Sequence, residues 1–190
     1  MSRADKFFKQ CVGAISAGLI CAGLLACSQG ESNVAAGNRE GVFHFGNGTE
    51  PQSLDPHVMS GIPETNIARA LYEGLVVRNP ITLELDPGVA KSWETSADGK
   101  VLTFHLRDNA RWSNGDPVTA EDFNWSLRRA LHPKMGYQLA YVLYPIRGAE
   151  DYAQGKSDDP ETLGIEVLDP YTLRITLNNP DPFFLGILAG

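Results

Sequence analysis

Residues 90–123, AKSWETSADGKVLTFHLRDNARWSNGDPVTAEDF, place a turn, a strand, a second turn and a helix start in immediate succession. Asp98-Gly99 separates Lys91–Thr95 from Val101–Arg107, and an Asp-Gly pair between alternating segments signals a hairpin because glycine accepts positive φ at no steric cost. In the second arm Leu102, Phe104 and Leu106 share one face, while Val101, Thr103, His105 and Arg107 share the other. That period of two marks a half-buried strand. Asn114-Gly115-Asp116-Pro117 then turns the chain. Thr119 suits an N-cap, with Glu121 and Asp122 in the first turn, where the helix dipole favours negative charge. The spacing predicts a helix over 120–131, with Phe123, Leu127, Ala130 and Leu131 on one face and Arg128 and Arg129 at its C-terminus. Pro133 biases His132 out of the helix. Trp93 and Trp112 read as packing residues, since aromatic side chains carry large buried area.

Outward from this stretch, extended and helical patterns alternate. Val42–Phe45 reads as a strand, and 46–63 as a loop punctuated by Asn47-Gly48, Asp55-Pro56 and Gly61. A loop of that length inside a domain is usually functional or disordered. Asp55 and His57 within it suit local hydrogen bonding that fixes the loop, with ligand contact as the alternative. From Pro63 to about Leu75, apolar residues Ile67, Ala68, Leu71, Tyr72 and Leu75 give a helical face. Val76-Val77 and Leu83/Leu85 suggest a hairpin. Downstream, Leu139, Val142, Leu143 and Ile146 have helical spacing, although the aromatic content of 137–146 leaves the type open. Residues 148–162 read as a charged loop or short helix, and 165–168 with 172–177 as a second hairpin around Asp169-Pro170-Tyr171. The apolar run 181–190 has no cap or polar tail, so the chain is expected to be cut there, with Phe183, Phe184, Leu185, Ile187 and Leu188 adding to an uncovered apolar face.

The beginning of the chain reads as a targeting segment. Arg3, Lys6 and Lys9 form a basic region, 12–25 is apolar, and Ala26-Cys27 closes it. The apolar part is short for a membrane span. Leu24-Leu25-Ala26-Cys27 resembles a bacterial lipobox, in which cleavage precedes a lipidated cysteine; a plain secretory signal is the alternative. Cys11 and Cys21 fall inside the removed segment and Cys27 becomes the acylated terminus, so the mature chain holds no other thiol and needs no disulfide. Ser28 after the cysteine resembles the export signal to an outer membrane. Residues 28–40, small and polar without periodicity, are expected to be a flexible tether.

With 43% hydrophobic and 21% charged residues in 190, the composition is that of a globular domain. The formal charge is −7, and residues 1–27 hold three basic side chains and one acidic one, so the remainder stands at −9. This argues against nucleic acid, whose phosphates need a basic patch. His44, His57, His105 and His132 are isolated, so no metal site is expected. Gly155-Lys156-Ser157 lacks the first glycine of a phosphate loop, because position 150 is Glu. No G-x-S-x-G elbow occurs. No catalytic residue and no cofactor are assigned. Asp116, Glu121 and Asp122 are explained by a turn and a helix start.

Ala90, Trp93, Asp98-Gly99, Thr103–Arg107, Trp112, Asn114-Gly115 and Val118–Phe123 together resemble the signature of the peptide-binding proteins of ABC importers, the bacterial extracellular solute-binding proteins of family 5. The periplasmic oligopeptide-binding proteins are the nearest resemblance. It continues through Ser53-Leu54-Asp55-Pro56-His57, Gly61–Glu64, Tyr72–Leu75, Leu163-Gly164, Val167 and Tyr171–Leu177. The resemblance implies a mixed α/β fold, part of a two-lobed, type II-like periplasmic binding protein truncated within its first lobe. It assigns 41–72 to the first segment of the main lobe and 73–190 to a mixed α/β subdomain. It further implies a lipid-anchored periplasmic subunit that captures oligopeptides for an inner-membrane ABC permease, with no enzymatic activity. Family members pair the peptide main chain as an added strand. Ser60, Gly61 and Ile62 match the stretch offering backbone groups, Gly61 permitting close approach, and Tyr137 lies near a tyrosine of the cleft. The same family also includes binders of dipeptides, nickel complexes, haem and sugars. An exported hydrolase with its active residues beyond 190 is the alternative from another class.

Overall fold

The structure, a computed structural model, describes residues 31–189. The expected signal segment, Cys27 included, lies outside the described residues. The chain divides into two units between Gly46 and Asn47.

In the first unit, helix α1 spans Asn33–Glu40. Its start is fixed by Ser32, whose Oγ accepts the Ala35 N–H at 3.2 Å, and its end by Gly41 at φ +68°. Within the segment 28–40, expected to be a flexible tether without periodicity, the described residues thus include two turns of helix. The helix is almost entirely exposed, so no apolar stripe announces it. The strand expected at Val42–Phe45 is also absent; Phe43 and Phe45 instead stack on each other, with ring centroids 6.4 Å apart.

The second unit begins with the loop and helix α2, Ile62–Leu71, with Pro63 in its first turn. The helix stops four residues before Leu75 because the chain there pairs as extended backbone. Val89 N–H donates to Gly74 C=O at 2.9 Å, and Ala90 N–H to Leu75 C=O at 2.9 Å. A β-carbon on Gly88 would sit 2.5 Å from Gly74 O, so glycine is required by that approach. Strands β1 (Val76–Arg78) and β2 (Leu85–Pro87) then form the small expected hairpin.

The main sheet has four antiparallel strands: β3 (Ala90–Thr95), β4 (Val101–Leu106), β5 (Ile165–Asp169) and β6 (Thr172–Thr176), in the order β3-β4-β6-β5. Both expected hairpins are present, the first turning at Gly99 with φ +71°. In β4, Leu102, Phe104 and Leu106 are buried and the alternate residues are not. Helix α3 (Ala120–Leu131) packs across β5 and β6. Asp122 Oδ2 accepts both the Thr119 N–H at 2.7 Å and its hydroxyl at 3.0 Å, the returning half of a capping box. The ambiguous 137–146 segment settles as a 3-10 turn at Ala140–Leu143, and 148–162 contains the short helix α4, Ala149–Ala153.

The core includes Phe104, Leu106, Leu131, Ile146, Leu173 and Ile175, all under 2% exposed; burying each such side chain stabilises by roughly 1.5–3 kcal/mol. The C-terminal helix α5, Phe184–Ile187, joins it. Phe184 is fully buried, and Leu185, Ile187 and Leu188 are partly buried against the core. Of the five residues expected to add to an uncovered apolar face, Phe183 alone stands exposed, at 79%.

Candidate functional site

The loop before α2 is held in place by Asp55 and His57, as the first of the two sequence readings anticipates. Asp55 is a local hub: its Oδ1 accepts the His57 N–H at 3.0 Å, and its carbonyl accepts Val58 and Met59 N–H at 3.0 Å. Across from it stands the last turn of α3. Arg129 forks the Asp55 carboxylate, Nη1 to Oδ1 at 2.8 Å and Nη2 to Oδ2 at 2.5 Å, and Nη1 reaches His57 Nδ1 at 2.6 Å. His57 Nε2 meets Ser126 Oγ at 3.2 Å. Trp125, Ser126 and Arg129 converge because positions three and four apart share one helix face; the guanidinium also lies over the Trp125 ring, 5.6 Å from its centre.

The electrostatics follow from the geometry. Arg129 holds the Asp55 carboxyl well below its usual pKa, helped by the His57 backbone N–H. Burial lowers the His57 pKa, Arg129 lowers it further, and Asp55 opposes both. A guanidinium can only donate, so Nδ1 accepts and the ring proton sits on Nε2, donating to Ser126. The Ser126–His57 pair is thus oriented against proton abstraction from the serine hydroxyl, the reverse of a hydrolytic dyad.

The loop leads into the predicted strip. Ser60 and Gly61 line a hollow of about 350 Å³ together with Ser53, Val58, Met59 and Glu64. Gly61 is extended, φ −100° and ψ 163°, and precedes the first residue of α2. Its carbonyl accepts the Thr65 hydroxyl at 2.8 Å. The N–H groups of Ser60, Gly61 and Ile62 and the Ser60 carbonyl take no hydrogen bond among the described residues. Ile62 is 78% exposed. Glu64 braces the strip from below: it is buried, its Oε1 accepts the Gln52 N–H at 2.9 Å, and that bond, with the one from its own N–H, lowers its carboxyl pKa.

Tyr137 stands against the other side of His57, the rings edge to face at 5.9 Å and 68°. Burial raises its phenol pKa, and Tyr141 adds to this. His57 therefore links Tyr137 to the loop that carries Ser60–Ile62. Sequence reasoning did not single out Arg129 as a site residue. The signal available was indirect: two polar residues in a long loop need a partner, and α3 ends in two arginines.

The family model described as bacterial extracellular solute-binding proteins, family 5 Middle, matches residues 84–190. The chain is 45% identical over 149 residues to the periplasmic oligopeptide-binding protein OppA of Escherichia coli, covering 75% of this chain and 26% of that protein. Its identity to the Haemophilus influenzae OppA is 47% over 139 residues, covering 72% and 25%. Among solved structures, Haemophilus influenzae OppA in complex with RPPGFSPFR superposes with a TM-score of 0.71 at 44% identity, over 75% of this chain and 28% of that one. The unliganded open form of the murein tripeptide-binding protein MppA gives 0.70 at 43% identity, over 74% and 27%. The chain thus spans about a quarter of the length of these relatives.

Proposed function

Because the chain belongs to the bacterial extracellular solute-binding proteins of family 5 and has the mixed α/β fold of part of a two-lobed, type II-like periplasmic binding protein, we propose that it captures oligopeptides in the periplasm for an ABC importer. The observation that carries this reading is the strip at Ser60–Gly61–Ile62, where the chain enters α2 through an extended Gly61 and leaves three N–H groups and one carbonyl unused among the described residues. Such an edge pairs with the main chain of an extended peptide, which gives affinity without selecting side chains. Tyr137 adds an amphipathic wall beside it. The ligands for which these relatives are named, oligopeptides and a murein tripeptide, agree with that chemistry.

In this reading 41–72 opens the main lobe and 73–190 is a supporting subdomain, so the strong sequence signature of 90–123 reports family rather than ligand. Cys27 carries the lipid anchor, which takes more than one acyl chain to hold stably, and the captured peptide passes to an inner-membrane permease.

Calorimetric titration of the whole protein with mixed tri- to pentapeptides tests the ligand class. Saturable binding is expected; silence with peptides and a response to a dipeptide, nickel complex, haem or sugar moves the ligand within the family. For the anchor, Cys27→Ala should abolish incorporation of labelled fatty acid, and labelling at the wild-type level contradicts the assignment.

A further inference from the structure

We propose that Arg129 is a positioning residue for the Ser60–Gly61–Ile62 strip, acting through a latch at His57 that opens when the imidazole takes up a proton. The proposal rests on the peptide-capture reading for its consequence and on local geometry for the latch itself. Among the described residues, hydrogen bonds from 48–61 to any element beyond α2 all come from Asp55 and His57, and all end on Ser126 or Arg129 of α3. Three residues after His57 the strip begins. Its hydrogen-bonded anchorage to the body of this unit beyond α2 therefore rests on one cluster.

That cluster favours the neutral imidazole. The charged or titratable groups facing His57 are Asp55 from its own loop, Arg129 from α3 and Tyr137 from the following segment. A proton on Nδ1 would set an N–H donor against the Arg129 N–H only 2.6 Å away and place two cations in contact. Asp55 cannot relieve this, because Arg129 engages both its oxygens and the His57 backbone N–H shares Oδ1. A released His57 titrates near its ordinary pKa of about 6.5, above that of the latched ring. Protons are thus taken up preferentially by the released loop, and each pH unit below about 6.5 favours release by up to tenfold, until the latched ring itself titrates.

Hydrogen exchange on the whole protein reads the latch without any ligand. Protection of the His57, Val58 and Met59 amides, corrected for intrinsic rates, should fall up to tenfold from pH 6.5 to pH 5.5 and change little from 7.5 to 6.5, while Phe104 in the core stays constant. His57→Gln can accept from Arg129 through Oε1 and donate to Ser126 through Nε2 without titrating, so its protection should be flat. Equal wild-type protection at pH 7.5 and 5.5, or the same fall in His57→Gln, overturns the latch. Affinity for a histidine-free tetrapeptide, measured alongside, should weaken several-fold at pH 5.5 in the wild type, stay level in His57→Gln, and be weak at both pH values in Arg129→Met. A working latch with pH-independent peptide affinity overturns the positioning role. Absence of saturable peptide binding at every pH, with exchange as expected, overturns the peptide reading and with it that role, while the latch stands.

Discussion

A β-carbon at Gly61 would lie 2.1 Å from Glu64 Oε2, and that carboxylate is the brace beneath the strip. Gly61→Ala should push it off the Gln52 N–H and destabilise the fold, and the penalty should shrink in a Glu64→Ala background, where nothing opposes the methyl group. A double-mutant cycle by urea denaturation checks this, and strict additivity of the two changes contradicts the contact. A second residue-scale prediction concerns acid. Asp55 and Glu64 both have folded-state pKa values below the ordinary carboxyl value near 4. A group lowered in this direction stabilises fully above its unfolded pKa and loses that contribution as pH falls through the folded one. The denaturation midpoint should therefore drop steadily from about pH 4 downward, and Asp55→Asn should flatten part of that slope. At this scale the sequence is informative about half of each pair. Asp55 and His57 announce themselves as loop fasteners, but Arg129 lies 74 residues from Asp55, and no local pattern encodes a contact over that distance.

Within the elements, stability concentrates where the two hairpins and α3 meet. Phe104, fully buried on the inner face of β4, should cost roughly 3–5 kcal/mol on replacement by Ala, whereas Trp125, 61% exposed on α3, should cost far less. Asp122→Ala removes the acceptor of both Thr119 bonds and should cost about 1 kcal/mol, read as a shift in the urea midpoint at unchanged slope. These are also the elements most legible in the sequence, because strand alternation, the Asp98-Gly99 turn and the Thr119–Asp122 start are local and agree with the tertiary environment. Where the sequence misleads, a different force decides. In α1 the caps Ser32 and Gly41 define a helix that has no apolar stripe to betray it. In α2 the apolar pattern runs to Leu75, yet backbone pairing of Gly74 and Leu75 with 88–90 takes the last residues away from the helix. At Phe184 the side chain is drawn into the core, a long-range outcome invisible to a run of apolar letters.

For the molecule as a whole, association is decided by what the described residues present at the surface. The outer strands of the main sheet are already blunted: β3 carries a bulge between Ala90 and Ser92 beside Lys91, and β5 one between Val167 and Asp169 beside Glu166. Bulges and charges of this kind discourage edge-to-edge pairing, so the sheet is a poor nucleus for association. Exposed apolar side chains are the better one. Phe43, Ile81 and Phe183 stand 88%, 89% and 79% exposed, and Phe183 borders a second hollow lined by Leu85, Pro182 and Ile187. Residues 28–190 expressed alone should therefore associate through these side chains, and, on the proposed reading of Ser60–Ile62 as a peptide edge, should bind peptides weakly, since two-lobed binders close a second wall over the ligand by a hinge. Light scattering on this chain and on its Phe43→Ser/Phe183→Ser variant separates the causes. Loss of association in the variant supports the apolar surface, and undiminished association shifts the cause to the sheet edges despite their bulges. Calorimetry on the same samples addresses the ligand: affinity equal to that of the whole protein would mean that residues 28–190 enclose the peptide unaided.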